Sequence, residues 1–194
     1  MLASTSRYRR ALLARLKVPF AVDAPHVDEA PPVLDAGVVE SPLALASRLA
    51  HAKADAVASR WPAARVIGCD QVAHIDGAVL DKPGNADRAR LHLARASGGT
   101  VEFVTALALV NTATGRRQSA VDVCRVQFRS LSAAEIERYV ALDEPFDCAG
   151  AFRSEGLGIA LVARIRGDDP SALVGLPLIL LTTLLENDGL ALLA

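Results

Sequence analysis

The sequence contains no long apolar run. Its most hydrophobic stretch, Leu176 to Leu185, is interrupted by Pro177, Thr182 and Thr183, and it falls far short of the roughly 18–20 residues needed to span a bilayer. The start, Met1-Leu2-Ala3-Ser4-Thr5-Ser6, meets arginines at once and lacks the apolar centre of a secretory leader. A soluble cytoplasmic protein is expected. Cysteine is scarce: Cys69, Cys124 and Cys148 are far apart and odd in number, which argues against a disulfide framework and against a Cys-x-x-Cys metal or redox site. Aromatic residues make up only 4% of the chain, so the core must be built mainly from Ala, Val, Leu and Ile. No excess of one charge exists either, since 21 Lys and Arg face 22 Asp and Glu. That balance excludes the basic footprint of a protein whose main ligand is a nucleic-acid polymer, and any anion site must be local. The four histidines, His26, His51, His74 and His92, show no metal-ligand spacing and are read as structural or surface residues.

What is present is a globular composition, 52% hydrophobic and 22% charged over 194 residues, enough for one substantial domain or two small lobes. Ser4-Thr5-Ser6 supplies N-cap side chains for a helix carrying Leu12, Leu13 and Leu16. Ala24–Pro42, with four prolines, is the clearest loop. Ser41-Pro42 then opens a helix running to about Ser59. Val66 to Leu80 reads as a hairpin around Asp76-Gly77. Asn85 to Ser97 is expected to be a helix, Val101–Asn111 and Ser119–Phe128 strands, and Ser132-Ala133-Ala134-Glu135 a capping box. Ala149–Phe152 and Ile159–Ile165 read as strands joined by a Gly-rich hairpin tip, and Pro177 to about Asn187 as the last helix. The alternation points to an α/β domain with a mixed sheet and flanking helices.

Several segments carry candidate chemistry. Ser4, Ser6, Arg9 and Arg10 place hydroxyls and guanidiniums at a helix N-terminus, where free N–H groups and the helix dipole favour phosphate. An ordinary capped helix with solvated arginines has the same appearance. Asp70 interrupts an apolar strand pattern, where an ionised carboxylate needs partners. It is either a general base or cation ligand, or a strand-end carboxylate paired with a lysine. Lys82 is a candidate partner, and Lys53 is either another or a solvated charge. Asp28-Glu29 adds carboxylates in the Pro-rich loop. Phe152-Arg153-Ser154-Glu155-Gly156-Leu157-Gly158 places Arg153 and Glu155 in a turn.

In their order along the chain, Leu2-Ala3-Ser4-Thr5-Ser6 with Arg9-Arg10, Val27-Asp28-Glu29, Ala52-Lys53-Ala54, Ile67-Gly68-Cys69-Asp70-Gln71, Asp81-Lys82-Pro83, Ala149-Gly150 and Val174-Gly175-Leu176-Pro177 resemble the Maf family of nucleoside triphosphate pyrophosphatases. The resemblance covers essentially the whole chain, residues 1–194. It implies a single domain of two lobes around a central cleft, similar to the inosine triphosphate pyrophosphatases, with a nucleoside triphosphate as substrate and a divalent cation, Mg²⁺ or Mn²⁺, assisting hydrolysis. It also implies a homodimer. Asp70 matches the family's proton acceptor, Ser4, Ser6, Arg9 and Arg10 its phosphate-binding segment, and Glu29, Lys53 and Lys82 its other charged cleft positions. Asp70 and Glu29 are the candidate metal ligands.

Tyr8, Gln71 and Glu155 resemble the base-selecting positions of the branch acting on 7-methyl-GTP. A methylated guanine carries positive charge on its ring, which favours an aromatic face and a carboxylate. Two departures stand out: Arg7 replaces the family's usual proline, and the segment before Leu2 is shorter. The branch acting on dTTP and UTP, and a nucleotide-binding regulator of septum formation, are the alternatives the same resemblance leaves open.

Overall fold

Alternating helices and strands build a mixed seven-strand sheet with flanking helices in the computed structural model, which describes residues 1–29 and 40–193. The strands are β1 (Leu2–Ala3), β2 (Val22–Asp23), β3 (Arg65–Ile75), β4 (Ala78–Leu80), β5 (Thr100–Asn111), β6 (Arg117–Phe128) and β7 (Val162–Arg166). The helices are α1 (Arg7–Ala14), α2 (Pro42–Ala58), α3 (Ala86–Ala96), α4 (Ala133–Asp143) and α5 (Leu178–Asn187). The expected α/β class is therefore observed. Of the proline-rich stretch, residues 30–39 lie outside the described residues. No helix among the described residues is long and apolar enough to cross a membrane. Two compact units emerge, one of Met1–Asp70, Thr105–Asp122 and Asp169–Ala194, the other of Gln71–Val104 and Val123–Asp168.

In the first unit β1 pairs in parallel with β2 and with β3, Leu2 lying opposite Val22 and Ile67. Side chains alternate across a strand, and β3 uses both faces. Ile67 and Cys69 enter an apolar cluster with Leu2, Leu13, Leu107 and Leu181. On the other face Gly68 lies against α2 so closely that a Cβ there would be 2.1 Å from the Ala50 carbonyl oxygen. Helix α2 starts where the sequence predicts, with the Ser41 hydroxyl accepting from Ala44 N at 3.2 Å and proline in the first turn. Strand β2 is a two-residue edge with no counterpart among the sequence-based expectations.

In the second unit β3 and β4 form the expected hairpin, with Asp76 and Gly77 at φ 49° and 85°, the pair of positive values a tight hairpin turn requires. The capping box of α4 is present, Ser132 and Glu135 satisfying each other's backbone. Phe152 packs 5.7 Å from Phe103 and 5.3 Å from Phe128, ring centre to ring centre. His74 and His92 face carboxylates, Glu102 at 3.5 Å and Asp81 at 3.4 Å.

The strand expected at Ala149–Phe152 is absent. Gly150 and Ala151 take φ values of 64° and 57°, which lie in the left-handed region and cannot extend into a strand, and Ala149–Ala151 is a 3₁₀ turn. A second 3₁₀ turn, Leu157–Leu161, delays β7 to Val162. The segment from Phe152 to Gly158 is thus a compact connection between turns and not a hairpin tip.

Candidate active site

The carboxylate that interrupts the apolar pattern of β3 has its partner on α2. Lys53 Nζ donates to Asp70 Oδ1 at 2.5 Å and also lies 2.6 Å from Glu29 Oε1. Both partners of the inner pair are buried, Lys53 at 6% and Asp70 at 7% exposure, whereas the Glu29 side chain is 58% exposed. A buried charge is tolerated when it is paired and hydrogen-bonded, so the solvated alternative for Lys53 is corrected. The small residue at Gly68 lets α2 approach the strand, and two residues further along β3 the lysine meets the acid. Glu29, Lys53 and Asp70, separated in sequence, come together in the first unit.

The start of α1 gathers a second group. Ser6 is the N-cap, accepting from Arg9 N at 3.4 Å, and its own N–H donates to Ser4 Oγ at 3.1 Å. Ser4, Ser6, Arg10 and Phe20 line a hollow of about 780 Å³ beside this helix end. Arg9 is used differently: its Nε donates to the Gly175 carbonyl at 2.9 Å. The same carbonyl accepts from Cys69 Sγ at 3.1 Å. Burial pushes the Cys69 thiol up from its ordinary value, with the Arg9 charge acting in the opposite direction. Tyr8 is covered on one ring face by the Arg7 guanidinium, 4.7 Å from the ring centre, and its hydroxyl accepts from Arg7 Nη2 at 2.7 Å.

Gln71, Lys82 and Glu155 belong to the second unit. Gln71 is half-buried on β3, Lys82 is exposed just beyond β4, and Glu155 is exposed with its carboxylate accepting from Ser154 Oγ at 3.2 Å. The loop that carries Glu155 is fixed from below by Arg153. The Arg153 guanidinium donates to the Asp143 carbonyl at 2.5 Å and lies 3.5 Å from Asp147 Oδ1; its backbone N–H donates to the buried Tyr139 hydroxyl at 3.0 Å. Gly156 sits so near Asp143 that a Cβ would fall 2.6 Å from Oδ2. Arg153 is an anchor of this loop, and Glu155 is the residue the loop presents.

Two contributors, Arg48 and Gly68, are given no role by the sequence-based reading. Arg48 on α2 is held by Glu40 through two 2.9 Å hydrogen bonds. Glu40 raises its pKa most, with smaller contributions from Asp28 and Asp70, which places another cation in the electrostatic neighbourhood of the acid. Nothing in its helical context separates Arg48 from a surface arginine. Gly68 did carry a signal, because a lone glycine inside a strand pattern marks a bulge or a close backbone approach.

The Maf-like protein family is matched by the chain over residues 1–188. The chain is 53% identical over 189 residues to the 7-methyl-GTP pyrophosphatase of Xanthomonas axonopodis pv. citri, covering 97% of this chain and 96% of that protein. It is 50% identical over 189 residues to the 7-methyl-GTP pyrophosphatase of Nitrosococcus oceani, covering 97% and 92%, and 50% identical over 192 residues to that of Alcanivorax borkumensis, covering 99% and 95%. Matched over nearly its whole length and half identical to these relatives, the chain belongs to the Maf-like protein family.

Proposed function

We propose that this chain hydrolyses 7-methyl-GTP to 7-methyl-GMP and diphosphate, as the names of its relatives indicate for those proteins. The observation that carries the reading is the buried Asp70 carboxylate held at 2.5 Å by Lys53 in a chain half identical to 7-methyl-GTP pyrophosphatases along almost its whole length. Water attacks the α-phosphorus, its proton passes to Asp70, and the bond from the α-phosphorus to the bridging oxygen breaks, so diphosphate leaves with that oxygen. Lys53 fixes the carboxylate by occupying Oδ1, and Arg9, Arg10 and Lys82 are assigned to the negative charge that grows on the phosphates. Ser4 and Ser6 shape the phosphate end, and Tyr8, Gln71 and Glu155 are assigned to the base.

No group of three or more His, Cys, Asp or Glu side chains placed to hold a metal occurs among the described residues. Mg²⁺ is commonly held by one or two carboxylates together with substrate phosphates, and two carboxylates, Asp70 and Glu29, converge on Lys53. The donor set therefore fits Mg²⁺ or Mn²⁺, which Asp70 and Glu29 would hold and which would supply Lewis-acid polarisation of a phosphoryl oxygen. The same reading places the protein in the cytoplasm as a single Maf-like domain acting on free nucleotides, and its assembly as a homodimer is tested by sedimentation.

The deciding experiment compares 7-methyl-GTP, dTTP, UTP and ITP at equal concentration for diphosphate release, with and without Mg²⁺. Preference for 7-methyl-GTP supports the reading. Preference for dTTP or UTP overturns the assignment of Gln71 and Glu155, and tight binding without diphosphate release turns the protein into a nucleotide-binding regulator.

A further inference from the structure

A buried polar assembly that the proposed chemistry does not use sits before α5. Asp169 is 2% and Ser171 6% exposed, and burying a carboxylate is costly unless donors surround it. Asp169 Oδ1 accepts from Ser171 N at 2.8 Å and from Ser171 Oγ at 2.5 Å, and Oδ2 accepts from Ile179 N at 2.6 Å. Ser171 Oγ in turn accepts from Leu178 N at 2.8 Å. Helix α5 starts after Pro177, which makes no side-chain cap, so these two residues satisfy its first N–H groups from outside, where the helix dipole also favours a carboxylate.

The consequence reaches the phosphate segment. The chain between Ser171 and Leu178 is pinned at both ends, and inside it Gly175 N donates to the Ala172 carbonyl at 2.9 Å. Gly175 adopts φ 120°, a conformation glycine takes without strain. Its carbonyl is the one that accepts from Arg9 Nε and Cys69 Sγ. Arginine recognises phosphate with a planar fork of donors, so engaging Nε fixes the plane in which the terminal nitrogens are offered. We propose that Asp169, together with Ser171, is a positioning residue that sets the orientation of Arg9 for the phosphate chain through the Gly175 carbonyl, a role that rests on the phosphate-binding assignment of Arg9 made above. Asp169 touches no substrate in this account.

A double-mutant cycle on affinity for inorganic triphosphate, measured calorimetrically, tests this without requiring turnover. Asp169→Asn is expected to weaken binding about tenfold in the wild-type background, the scale of a misaligned charge-assisted hydrogen bond, and less than about twofold once Arg9→Ala has removed the group it orients. A purely structural Asp169 gives the same loss in both backgrounds, which overturns the proposal, as does a wild-type protein that fails to bind triphosphate. Should Asp169→Asn not fold, Ser171→Ala is read in the same cycle. Diphosphate release from 7-methyl-GTP by the wild type is scored separately: coupling without release sinks the proposed activity and leaves the positioning role standing.

Discussion

Lys53 Nζ and Asp70 Oδ1 are 2.5 Å apart in a buried pair formed across α2 and β3, and the two partners of the pair are not equivalent. Lys53 has a second carboxylate, Glu29, at 2.6 Å, whereas loss of Lys53 leaves two carboxylates with no ammonium between them. Asp70→Asn is therefore expected to fold, because Lys53 keeps a counter-ion, while turnover falls about 10²–10⁴-fold, the usual cost of removing a positioned base. Lys53→Met is expected to lose about 3–5 kcal/mol of stability, since breaking a buried pair strands the remaining charge. Urea unfolding and diphosphate release on both variants check the contrast, and near wild-type turnover by Asp70→Asn would remove the assigned base.

The approach of α2 to β3 depends on Gly68. A Cβ at that position would lie 2.1 Å from Ala50 O, 2.7 Å from Ala54 N and 2.8 Å from the Ala54 Cβ, and two of those three atoms are backbone that no rotamer change can move. Gly68→Ala should push the helix outward, at a cost of about 1–3 kcal/mol or more for overpacking, and draw Lys53 away from Asp70. The expected result is a lower thermal midpoint together with reduced kcat. A variant with unchanged stability and activity would show that the helix can shift without disturbing the pair.

How much of this was legible in the sequence follows the range of the interactions involved. Ser6, Ser41, Asn85 and Ser132 cap helices that begin within a residue of the expected positions, because capping is settled by a side chain and backbone three residues away. The Asp76-Gly77 turn was equally readable. The turn at Ala149–Ala151 was not, since the apolar run around it suits a strand and the left-handed conformation of Gly150 and Ala151 depends on packing elsewhere in the chain. Asp70 announced itself as a charge in an apolar strand, yet its choice of Lys53 needed the crossing of α2 over β3. Asp169 gave no such signal, because its three donors are supplied by a serine two residues away and a helix start ten residues away.

Arg7 stands where the family resemblance leads one to expect proline, and its contacts have a consequence. Its guanidinium lies over the Tyr8 ring and donates to the Tyr8 hydroxyl, placing a cation against one face of the ring that the proposed function assigns to a positively charged base. Arg7 opens α1, and proline is well suited to that first helical position. Arg7→Pro should keep α1 intact and lower KM for 7-methyl-GTP about two- to fivefold, the scale of an exposed cation–π contact, with little effect on GTP. An equal change for both nucleotides would show that the contact does not bear on the base.

Alkaline pH should weaken the fold through three groups held neutral inside it. Burial raises the Cys69 thiol, pushes Cys148 to about 11 and raises the Tyr139 phenol. In the unfolded chain thiols titrate near 9.0 and phenols near 10.0, so above about pH 9 the unfolded state releases protons that the folded state retains. Stability from these groups is complete below pH 9 and is lost as pH rises toward the folded-state values. Urea midpoints should be level from pH 7 to 8.5 and decline from pH 9 upward, and a level profile to pH 10.5 would contradict the burial of these groups. The thiolate is also the reactive form, so Cys69, buried beneath Arg9 and Gly175, should resist alkylation in the native protein at pH 8 and react fully in urea, as mass spectrometry of the labelled chain would show.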